Sequence, residues 1–86
     1  MNIKFTTALE AEKIVDDLKL QLKTINYNKD LKKLVANCDK LLNIFGSAEV
    51  KARQLHKPYL ANKAREDLAQ ALDYLEKVII IVKLTE

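Results

Sequence analysis

One thiol, Cys38, and one imidazole, His56, are the only soft metal ligands or nucleophiles in this chain of 86 residues. A zinc site needs several such ligands at close spacing, and a thiol nucleophile needs a base held beside it. Neither residue has that company. Cys38 falls in the middle of an apolar helical stripe and reads as a core residue. His56 lies among Arg53, Lys57 and Tyr59 and reads as part of a basic surface. Acids occur as neighbours, Asp16 with Asp17 and Glu66 with Asp67. Adjacent side chains on a helix diverge by about 100°, so neither pair converges on one reacting bond. Gly46 is the single glycine, too few for a phosphate-cradling loop. No catalytic residue, metal, cofactor or small-molecule substrate is expected, and the chain does not read as an enzyme.

The remaining chemistry is electrostatic. Lys51, Arg53, His56, Lys57, Lys63 and Arg65 crowd the segment "KLLNIFGSAEVKARQLHKPYLANKAR". This stretch resembles a helix-turn-helix: a helix, a glycine turn at Gly46, then a basic helix. The resemblance implies a second helix laid in a nucleic-acid groove, with Lys and Arg on phosphates. The net charge of +3 permits that reading without requiring it, because a modest excess of lysine also keeps a small domain soluble.

Hydrophobic periodicity defines the elements that must carry these groups. Thr7 followed by Glu10 forms a capping box, which places a helix start near Ala8. Ala11, Ile14, Val15, Leu18, Leu22 and Ile25 then fall on one stripe, leaving Leu9 and Leu20 outside it. The "NYN" at 26–28 ends this helix, and Asn28 can cap the next. A second helix is expected over 29–45, with Leu31, Leu34, Val35, Cys38, Leu41, Leu42 and Phe45 on one arc. Gly46 is placed to stop it and Ser47 to cap a short third helix over 48–57, whose apolar face is Ala48, Ala52 and Leu55.

Beyond Pro58 the stripe of Leu60, Ala64, Leu68, Leu72, Leu75 and Ile79 would lie on the opposite side of a continuous rod. A break before Pro58 is therefore expected, since the residue preceding proline disfavours helical geometry. A long fourth helix over 59–84 follows. At its end, Val78, Ile79 and Val82 continue the core stripe, whereas Ile80, Ile81 and Leu84 project on the opposite side. A β-branched strand over 78–84, paired with the N-terminal "NIKF", is the alternative for that run.

Composition agrees with a small helical domain. Apolar residues make up 49% and charged residues 31%, with one Gly and one Pro. A chain of this length forms one domain (1–86) that buries roughly 60–65% of its unfolded surface. One cysteine allows no internal disulfide, no stretch reads as a secretory signal, and the five-residue apolar run 78–82 is too short to span a bilayer. A cytoplasmic location is the expectation. All but two of the 15 basic residues are lysine, and Asn and Ile are plentiful, a usage associated with AT-rich bacterial or phage genomes.

The fold expected is an all-α antiparallel bundle of four helices, the third short, or three helices if the last is a long rod kinked at Pro58. Its size and layout are similar to those of the basic four-helix bundles among bacteriocin immunity proteins and phage-encoded inhibitors. The function expected is regulatory or inhibitory docking on a protein partner or on a second copy of the chain, through Ile80, Ile81 and Leu84. The alternative is nucleic-acid binding through the basic segment 51–65.

Overall fold

The computed structural model describes residues 3–25 and 29–85. They form an all-α bundle of three helices: α1 (Ala8–Leu22), α2 (Lys29–Gln54) and α3 (Asn62–Thr85), with a 3₁₀ turn at Pro58–Ala61 between the last two. α1 ends earlier than expected, at Leu22 with Lys23 as its C-cap, so Ile25 stands beyond the helix; the "NYN" at 26–28 and the cap at Asn28 lie outside the described residues.

α1 begins where its capping signal stands. Thr7 is extended, and its hydroxyl oxygen accepts the Glu10 N–H at 3.2 Å. The Glu10 carboxylate closes one residue earlier than a standard capping box, accepting the Thr6 N–H and hydroxyl, each at 3.1 Å. Ala11, Val15, Leu18 and Leu22 are buried, and Leu9 and Leu20 are exposed.

α2 does not stop at Gly46. The expected short third helix is instead the last part of a single helix of 26 residues. The reason is phase: Leu31, Val35, Cys38, Phe45 and Ala52 form one buried stripe that crosses the glycine without a shift. A mid-helix glycine costs only about 1 kcal/mol relative to alanine, less than the burial of Phe45 contributes. Ser47 therefore caps nothing, and Leu55, placed with Ala52 on the short helix's core face, is exposed.

The break before Pro58 is present. Lys57 N–H donates to the Ala52 carbonyl at 2.9 Å and His56 N–H to the Arg53 carbonyl at 3.2 Å, a Schellman ending with His56 in the left-handed conformation, φ 55°. Lys57 is non-helical (φ −129°, ψ 81°), and Pro58 opens the 3₁₀ turn, where its missing N–H is not needed. α3 then runs unkinked by proline to Thr85, so 78–84 is helix and not strand.

α1 and α2 are antiparallel: the start of α1 meets Glu49 (Ala8 N–H to Oε2, 3.0 Å), and Lys19 pairs with Asp39 at 2.9 Å. α1 runs alongside α3 in the same direction, with Lys83 donating to the Gln21 side chain at 3.4 Å. Fifteen residues of α1 cover only about 22 Å, against about 39 Å for the 26 of α2. The extended segment ahead of α1 packs against both α2 and α3. Phe5 is buried with its ring 5.7 Å from that of Phe45, and the Ile3 N–H donates to Asp73 at 2.7 Å.

Candidate interaction site

On α3 the inward stripe of Leu68, Leu72, Leu75 and Ile79 is fully buried. Ile80, Ile81 and Leu84 stand off it, 43%, 59% and 80% exposed. Spacings of three and four residues make them neighbours on one helix surface. Tyr74, 58% exposed, lies two turns before Ile81 on the same row and extends this face. Tyr74 is not among the residues expected on this face, although its spacing of seven from Ile81 is the sequence signal that puts it there. Lys77 and Lys83 interleave with these apolar groups.

The basic residues gather at the opposite end. The turn between α2 and α3 brings Arg53, His56 and Arg65 to one concavity, while Lys51, Lys57 and Lys63 lie near the same turn in sequence. All are exposed except Arg65, which is half-buried. Carboxylates and amides already engage part of this set: Arg53 meets Glu49 at 3.5 Å, Lys63 meets Asp67 at 3.7 Å, and Arg65 donates to the Asn62 side chain at 2.9 Å. The helix, glycine turn and basic helix that the sequence suggested are not arranged that way, because Lys51 and Arg53 belong to the same unbroken helix as Gly46.

Comparison with protein-family models, curated proteins and solved structures yields no match for this chain.

Cys38 is 1% exposed, and its thiol is pushed up to about 11, chiefly by burial and secondarily by the charge of Asp39. A thiol so held stays protonated at neutral pH and is a poor nucleophile. Among the described residues no group of three or more His, Cys, Asp or Glu side chains could hold a metal ion. No helix of the described residues is long and apolar enough to cross a membrane.

Proposed function

We propose that this chain is a small non-catalytic docking protein whose α3 outer face, centred on Ile80, Ile81 and Leu84, binds a protein partner or a second copy of itself. The supporting observation is that these side chains are exposed on a helix whose core stripe is already complete without them. Each apolar side chain of this kind contributes roughly 1.5–3 kcal/mol when fully buried. A stable interface covers about 800 Å² on each side, so the contact would extend along the ridge through Lys77 to Tyr74. The role is regulatory or inhibitory, exerted by occupying a partner's surface, in the cytoplasm of a bacterial or phage-infected cell. Light scattering over a concentration series tests it. Self-association raises the mass above the 9.8 kDa monomer, and Ile80→Lys with Ile81→Glu returns it to monomer at unchanged helicity. A parent that stays monomeric leaves a heterologous partner, whose capture the double variant abolishes. Unfolding of that variant would show these residues to be core and remove the reading.

Nucleic-acid binding through Lys51, Arg53, His56, Lys57, Lys63 and Arg65 is the second reading, supported by Arg53, His56 and Arg65 lining one concavity beside the turn between α2 and α3. Such binding weakens steeply with salt. Exchange of Lys51, Arg53, Lys57 and Arg65 for Gln abolishes it, and absence of any shift with duplex or single strands at low salt excludes it.

A further inference from the structure

Both arginines of the chain line one cleft. Every other basic residue among the 15 is lysine, yet Arg53, from the end of α2, and Arg65, from the first turns of α3, flank the same concavity of ≈ 450 Å³. Its apolar lining comes from Phe45, Ala52, Pro58 and Ala61, of which all but Pro58 are buried residues of the core. His56, Glu49 and Thr6 complete the rim. Small-molecule sites have this build, roughly 300–1,000 Å³ with apolar walls and a few convergent polar groups.

We propose that this cleft binds a small organic carboxylate, its apolar body against Phe45 and Ala61 and its carboxylate between the two guanidinium groups. Among the lining residues two guanidinium groups outweigh the one carboxylate of Glu49, which is itself engaged by the Ala8 N–H at 3.0 Å, while the Glu10 carboxylate, held by the Thr6 N–H and hydroxyl, lines the adjoining concavity. Residue type supports a planar oxyanion. Arginine presents five donors in a fixed fork that matches a carboxylate edge, whereas lysine offers a point charge. The contacts with Glu49 and Asn62 each use a single guanidinium nitrogen, and the Glu49 contact is long at 3.5 Å with the Arg53 side chain 73% exposed. His56, held at φ 55° by the helix ending, sets its imidazole on the rim of the same cleft. The site is separate from the α3 outer face, so either can fail without the other.

The test is a titration of the ¹⁵N-labelled full chain with 4-phenylbutyrate, followed by amide chemical shifts. Shifts confined to residues lining the cleft, with 4-phenylbutanamide binding about tenfold or more weakly, are expected. Arg53→Gln and Arg65→Gln should each weaken binding several-fold while the spectrum stays folded. Arg53→Lys with Arg65→Lys, which keeps charge and loses the fork, should also weaken it. Equal binding of acid and amide, unchanged affinity in the variants, shifts elsewhere, or no shift up to about 10 mM ligand would overturn the proposal. So would a single-stranded oligonucleotide that displaces the carboxylate and binds with a steep salt dependence, which would reassign these arginines to a polyanion.

Discussion

The backbone N–H of Ala8 donates to the Glu49 carboxylate at 3.0 Å, joining the first residue of α1 to α2 across the bundle. The first N–H groups of a helix have no intrahelical acceptor, and the positive end of its dipole favours a negative charge. Thr7 and Glu10 satisfy local donors, and Glu49 supplies from another helix what the local sequence does not. Glu49→Ala removes both the acceptor and the charge and should cost about 1–2 kcal/mol. Glu49→Gln keeps an acceptor and should cost less than half of that. Urea unfolding with an unchanged m-value measures the difference.

Gly46→Ala should stabilise the protein. Gly46 lies inside α2 without positive φ, and a methyl group placed there would approach the Ala8 methyl at 4.0 Å, an ordinary contact. Restricting the unfolded backbone and raising helix propensity are together worth about 0.5–1 kcal/mol. The melting temperature should rise by about 4–8 °C per kcal/mol for a domain of this size. A fall instead would mean that a break at Gly46 is present in solution.

That glycine marks where the sequence ceased to be legible. Local chemistry sufficed for the start of α1 at Ala8 and for the break before Pro58, because a side-chain cap and a proline act on their immediate neighbours. The stripe of α3 was equally plain, and with it the outward placement of Ile80, Ile81 and Leu84. At Gly46 and Ser47 the local stop signal competed with tertiary burial. Phe45 and Ala52, seven residues apart and both facing the core, carried the helix through. The segment 3–7 has no periodicity, so nothing local announced that Phe5 would reach Phe45 or that Ile3 would reach Asp73. Arg53 and Arg65 were visible as basic residues, but the apolar floor between them comes from Phe45 and Ala61, on different elements.

The turn between α2 and α3 should respond differently at His56 and at Pro58. His56 at φ 55° carries the steric penalty of a side chain in the left-handed region. His56→Gly relieves it and should stabilise by about 1 kcal/mol. Pro58 occupies the first position of the 3₁₀ turn. Pro58→Ala should therefore change stability by less than about 1 kcal/mol, all of it through the unfolded chain. A marked gain in Pro58→Ala, approaching the roughly 3 kcal/mol of a proline in a helix interior, would indicate one kinked rod in place of two helices. Thermal melts of the two single variants read both effects.

Alkaline stability should depend on Cys38. Its thiol ionises at about 11 in the folded chain, raised from 9.0 mainly by burial. Below pH 9 the thiol is neutral folded or unfolded, and its contribution is fully present. Between pH 9 and 11 the unfolded chain releases this proton while the folded chain keeps it, so unfolding is progressively favoured as pH rises. A shift of this size corresponds to on the order of 2 kcal/mol by pH 11. Cys38→Ala removes that slope, so plots of stability against pH for parent and variant should run parallel up to about pH 9 and converge above it. Thiol labelling gives an independent reading. With Cys38 enclosed between helices, its reaction with a disulfide reagent at pH 8 should proceed only through opening of the bundle. Labelling in native buffer as fast as in urea would show that the stripe of α2 does not pack as described.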